Sequence, residues 1–137
     1  MTEFRPLDEK TVVAGQIAPS DFEEARRHGV TMVVNNRPDG EEPGQPTSAE
    51  LEAAAEAAGL DYRHIPISRG LGPAQVEEMV SALSELGDGK MLAFCRSGMR
   101  STLAWAVAKR EQGASREELK AQALQAGFSL AAVDHLL

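Results

Sequence analysis

The apolar run Lys90-Met91-Leu92-Ala93-Phe94 leads straight into Cys95-Arg96-Ser97-Gly98-Met99-Arg100-Ser101, and no other feature restricts the chain so strongly. Behind the loop, Leu103, Ala104, Val107 and Ala108 recur at helical spacing, so a strand passes through a glycine-bearing turn directly into a helix. A junction of this kind leaves several backbone N–H groups without helical partners. They face the turn, and the helix dipole adds roughly half a positive charge there. The loop is therefore expected to bind an anion.

The remaining elements alternate in the same sense. Thr11 to Ala14 reads as a short strand. Ser20 with Glu23 has the form of a capping box for a helix stopping at His28-Gly29. Val30 to Val34 is a β-branched strand, and Asn35 to Pro46, rich in Asn, Pro and Gly, is a loop at its end. Thr47 with Glu50 caps a helix ending at Ala58-Gly59, and Leu60 to Ile67 is the next strand. Pro73 opens a helix running to Gly87, with Val76, Met79, Val80, Leu83 and Leu86 on one face. The helix after the cysteine loop ends at Gly113, Ser115 with Glu118 caps another that ends at Gly127, and Leu130 to Leu137 forms a short helix. This order predicts one α/β domain over residues 1–137, with a mostly parallel sheet flanked by helices. Ligands of such sheets sit at the carboxyl ends of the strands, where Cys95 lies.

Charge and composition narrow the partners. A net charge of −7 argues against nucleic acid, which needs a basic field, so any positive patch is local and meant for a small anion. The amino terminus lacks the apolar core of a signal peptide and no stretch is long enough to span a membrane, so a cytoplasmic protein is expected. A single cysteine excludes an internal disulfide, and three scattered histidines offer no ligand spacing, so neither a metal nor another cofactor is expected.

The chemistry then converges on Cys95. A thiol at a helix amino terminus beside arginines ionises readily, and the thiolate is a nucleophile. Gly98 lets the loop turn tightly, with Ser97 and Met99 completing its anion-binding backbone. Arg100 can grip two oxygens of an anion, Arg96 adds a second charge, and Ser101 is placed to donate a hydrogen bond to the sulfur. Asn36 and Arg37 end a strand expected beside that of Cys95, so they either line the same mouth or form a structural turn. Arg69 is either a substrate ligand or a solvated loop residue. Asp39 is either a proton donor or part of a simple turn. His64 reads as packed rather than catalytic, and Trp105 and Phe128 as core.

The loop resembles that of rhodaneses, Cys-Arg-x-Gly-x-Arg/Lys-Ser/Thr, at every fixed position. The tyrosine-phosphatase loop has a histidine before the cysteine and five residues, not four, before the arginine. The rest of the chain is similar to compact dual-specificity phosphatases through Ala14-Gly15-Gln16, Val33 to Glu41 and Tyr62 to Ile67. From about Val12 to Leu130 it resembles the phosphatase-like domain of the β-lactamase-hydrolase-like proteins. That resemblance implies a dual-specificity-phosphatase-like fold. Some members of the family are fused to persulfide-oxidising metalloenzymes, which implies such an enzyme as a partner. Phosphatases of this type carry an acidic residue where this chain has Ser68-Arg69-Gly70-Leu71-Gly72-Pro73.

The shortened loop narrows the cup toward a terminal sulfur, and sulfite leaves thiosulfate without a proton. The leading expectation is accordingly a sulfurtransferase forming a Cys95 persulfide from a small sulfur-containing anion. The alternative is a phosphatase forming a cysteinyl-phosphate from a phosphorylated anion. A non-catalytic anion-binding module is the third expectation.

Overall fold

Residues 2–137 are described by a computed structural model. Its strands are β1 (Arg5–Pro6), β2 (Thr11–Ala14), β3 (Met32–Asn35), β4 (Asp61–His64) and β5 (Met91–Phe94). Its helices are α1 (Asp21–Arg27), α2 (Ser48–Ala57), α3 (Pro73–Glu85), α4 (Met99–Glu111) and α5 (Arg116–Gln125), followed by a 3₁₀ turn over Ala131–Leu136. The sheet order is β1-β2-β5-β3-β4, with only β1 antiparallel.

The centre of the sheet belongs to β5, which explains why its sequence is apolar at every position: helices cover both faces. Side chains alternate between two cores. Val13, Met32, Val34, Met91 and Ala93 face Met79, Trp105 and Leu119, from α3, α4 and α5. Val12, Ala14, Val33, Leu92 and Phe94 face Phe22 and Leu51, from α1 and α2. Both Trp105 and Phe128 are buried, as expected.

Local departures from the sequence reading have identifiable causes. The two-residue β1 is too short to leave a periodic signal. At α1 the Ser20 side chain makes no cap; the Asp21 carboxylate instead accepts from the Ala18 N–H at 2.8 Å, and the serine backbone is already helical. The Thr47–Glu50 capping box forms as expected, and Ser115 accepts from the Glu118 N–H. The strand expected over Leu60 to Ile67 shortens to Asp61–His64, although Ile65 and Ile67 still donate backbone hydrogen bonds to Asn35 and Asn36. Helix α4 begins at Met99, ahead of its first apolar repeat, because the polar Arg100 and Ser101 occupy its first turn.

Candidate active site

Cys95 follows β5 directly, between the ends of β2 and β3. Its N–H donates to the Ala14 carbonyl at 3.3 Å, the Asn36 N–H donates to the Phe94 carbonyl at 2.8 Å, and the Gln16 N–H donates to the Arg96 carbonyl at 3.2 Å. Three strand ends thus hold the loop. Cys95 is fully buried, and the Gly98 N–H donates to its sulfur at 3.1 Å. Gly98 has φ +95°, and a Cβ there would lie 3.0 Å from Phe128 Cζ and 3.4 Å from the Ala14 carbonyl oxygen. Gly98→Ala is therefore expected to cost about 1–3 kcal/mol, combining left-handed strain with crowding. Urea unfolding checks this, and a change under about 0.5 kcal/mol would show that the loop relaxes freely.

The arginines are organised by a pair of carboxylates. Arg100 Nη1 and Nη2 donate to the two Glu41 oxygens at 2.8 and 2.9 Å, and Nη1 also donates to the Ile67 carbonyl at 2.8 Å. Arg37 is almost wholly buried, 1% exposed. Its Nε donates to Glu41, its Nη2 to Glu42 and its Nη1 to Gln16 Oε1, each at 2.9 Å. Arg96, 69% exposed, lies 3.8 Å from Glu42. Asn36 and Arg37 thus end a strand beside that of Cys95, as expected, but the Arg37 guanidinium is spent on protein partners and serves as the root of the network.

The electrostatics follow from these contacts. The Arg100 hydrogen bonds hold the Glu41 carboxyl at about 2, against the opposing effect of burial and with help from Arg37. Glu42 is lowered too, first by its hydrogen bond from Arg37 and then by the charge of Arg96. Arg100 is raised by Glu41, opposed by burial and reinforced by the Cys95 sulfur beside it. Burial works against the Arg37 charge, but Glu41 and Glu42 outweigh it and the pKa rises.

Because the folded Glu41 pKa is depressed from an ordinary 4.5, its stabilisation is present above about pH 4.5 and is lost as pH falls toward 2. The loss is at most about 3 kcal/mol, less the screening at a carboxylate 28% exposed. The Tm of the wild type should drop through that window, and Glu41→Gln should flatten the drop; parallel curves for the two proteins would contradict the pairing.

Other expected residues are placed differently. The Ser101 hydroxyl donates to Asn36 Oδ1 at 2.8 Å, so its proton is committed there and not to the sulfur. Asn36 in turn donates to the Ile65 carbonyl at 3.0 Å, making the pair a buried brace beneath the loop. Asp39 accepts from the Ser48 N–H at 2.8 Å at the start of α2, a turn-and-cap role rather than a position in the cup. Ser97 Oγ accepts from the Met99 N–H at 3.3 Å just ahead of α4, which removes that N–H from the expected anion-binding set. Arg69 is exposed in a groove with Gln75 and His135. His64 Nε2 lies 3.0 Å from the Arg37 carbonyl, which can only accept, so the ring donates.

Sequence reasoning missed Gln16, Glu41 and Glu42 as site residues. Two adjacent acids in a loop expected to face two loop arginines were the available signal.

The comparisons agree with this geometry. A β-lactamase hydrolase-like protein of Agrobacterium fabrum is 33% identical over 135 residues, covering 96% of this chain and 31% of that protein, so the chain spans about a third of that relative's length. The structure of a candidate phosphatase from Neisseria meningitidis matches with a TM-score of 0.80 over 97% of both chains, at 28% identity. Kinase associated phosphatase, solved with its catalytic cysteine replaced by serine, shares the fold at a TM-score of 0.68, 18% identity and coverage of 89% of this chain and 80% of that one. The fold is thus that of dual-specificity and tyrosine phosphatases, and the likeness supports the phosphatase expectation over the sulfurtransferase one. No described helix is long and apolar enough to cross a membrane. The family model for the β-lactamase hydrolase-like protein, phosphatase-like domain, matches residues 3–112, and the chain belongs to that family.

Proposed function

We propose that this domain is a phosphatase in which Cys95 carries the phosphoryl group between substrate and water. The observation that carries the reading is the aim of Arg100. Of its five N–H protons, two on Nη1 go to Glu41 and Ile67 and one on Nη2 goes to Glu41. The Nε–H and the second Nη2–H remain, and they form one edge of the guanidinium, which can bind two phosphoryl oxygens side-on while Glu41 holds the other edge. Arg96, exposed and only loosely paired, draws the anion in. Ser101 and Asn36 act as positioning residues that keep the loop closed around the sulfur. A thiol nucleophile needs a reducing compartment, which favours the cytoplasm.

The test is hydrolysis of 4-nitrophenyl phosphate with competitive inhibition by vanadate, together with an acid-quenched phosphoenzyme carrying its label on Cys95. No turnover and no label would overturn the reading.

Sulfur transfer is the second reading, and the four-residue spacing between Cys95 and Arg100 is the observation that favours it. It predicts a mass gain of one sulfur atom after thiosulfate treatment and thiocyanate on adding cyanide. Absence of both would remove it.

A further inference from the structure

We propose that the site selects phosphoryl compounds whose leaving group departs as an anion, namely aryl phosphates, acyl phosphates and phosphoanhydrides, and discriminates against alkyl monoesters. The proposal rests on the phosphatase reading and deepens it.

Expelling an alkoxide requires a proton at the bridging oxygen in the transition state, a contribution of about 10²–10⁴ in rate from a positioned acid. Each carboxylate that the structure brings toward the loop is already spent. Glu41 is clamped between Arg100 and Arg37 and stays ionised throughout the neutral range. Glu42 accepts from Arg37 and faces Arg96, which also favours its ionised form. Asp39 is turned to the Ser48 N–H at the start of α2. An acid held ionised by an arginine cannot donate the proton an alkoxide needs.

The other wall of the site is equally poor in acids. The Ile67 carbonyl receives Arg100 Nη1, so the chain beyond it flanks that arginine, and it reads Ser68-Arg69-Gly70-Leu71-Gly72-Pro73. It offers a cation and a hydroxyl but no carboxyl. His135 lines the groove beyond this strip together with Arg69 and Gln75, and its substitution tests it as a proton donor.

The first step then balances without a proton. The Cys95 sulfur forms a bond to phosphorus, the phosphorus–oxygen bond to the leaving group breaks, and that oxygen keeps the electron pair. A phenolate, a carboxylate or a phosphate monoester anion accepts the pair readily. In the second step water adds to phosphorus, the sulfur–phosphorus bond breaks to restore the thiolate, and phosphate and a proton leave.

The experiment compares kcat/KM for 4-nitrophenyl phosphate, phenyl phosphate, acetyl phosphate, inorganic pyrophosphate and glycerol 2-phosphate on the wild-type protein. The expected result is a steep fall from the nitrophenyl to the phenyl ester. Acetyl phosphate and pyrophosphate should be turned over, and glycerol 2-phosphate should lie about 10²-fold or more below phenyl phosphate, the lower end of what an acid would supply. Glycerol phosphate within tenfold of phenyl phosphate would overturn the proposal while leaving the phosphatase reading intact. So would inert acetyl phosphate and pyrophosphate. His135→Gln is expected to leave every rate unchanged, and a loss confined to the poorer leaving groups would identify it as the acid and overturn the proposal. Inert 4-nitrophenyl phosphate would remove the phosphatase reading and the proposal together.

Discussion

Cys95→Ser is expected to lower turnover of 4-nitrophenyl phosphate by roughly 10⁴-fold or more while the fold and phosphate binding persist. The substitution changes one atom. Serine Oγ can accept the Gly98 N–H that now points at the sulfur, and it occupies slightly less space in a fully buried position. Stability should therefore change little. What serine lacks is ionisation, since its hydroxyl stays protonated at neutral pH and nothing nearby is free to remove the proton. Glu41 and Glu42 are committed to arginines, and Ser101 gives its own proton to Asn36. Turnover, thermal unfolding and calorimetric phosphate binding on the same preparation separate these effects. Residual turnover within 100-fold of wild type would mean that the nucleophile is another group.

The parts of this picture that were legible in the sequence are those that depend on one short stretch of chain. Strand β5, the cysteine loop and α4 follow from an apolar run, a glycine and a helical repeat that are contiguous, and the helix-ending glycines at 29, 59, 113 and 127 all take positive φ. Ser115 and Thr47 cap their helices because their own backbone is extended, whereas Ser20 does not because its backbone is already helical. What stayed hidden depends on which ends the sheet brings together. Arg100 to Glu41 and Arg37 to Gln16 are settled only when β3 and β2 flank β5, and Ser101 to Asn36 spans 65 residues of chain. The sequence could offer Ser101 a sulfur one loop away, but not the amide that the neighbouring strand delivers to it. Asp39 carries a similar ambiguity, resolved by its acceptance of the Ser48 N–H at the amino end of α2.

Arg100→Lys separates the two roles a carboxylate beside the anion-binding arginine could have. Lysine has no second edge, so an ammonium held by Glu41 and the Ile67 carbonyl would have at most one proton left for substrate, where arginine keeps a two-proton fork. The expected loss in kcat/KM is about 10²–10³, comparable with removing a donor that stabilises charge in the transition state. Glu41→Gln then decides what the carboxylate contributes. If Glu41 merely filled the anion site, its neutral isostere would release Arg100 and raise activity. The geometry points the other way: Glu41 engages the end of the guanidinium and leaves the side edge open, so it aims the fork without occupying it. Glutamine can accept from one nitrogen but not from both, and the aim loosens. A fall in kcat of about tenfold is expected, with the larger loss for Arg100→Lys. Adding Glu41→Gln to Arg100→Lys should cost little more, since both changes disable one unit. An increase in kcat for Glu41→Gln alone would instead make the carboxylate a competitor of the substrate.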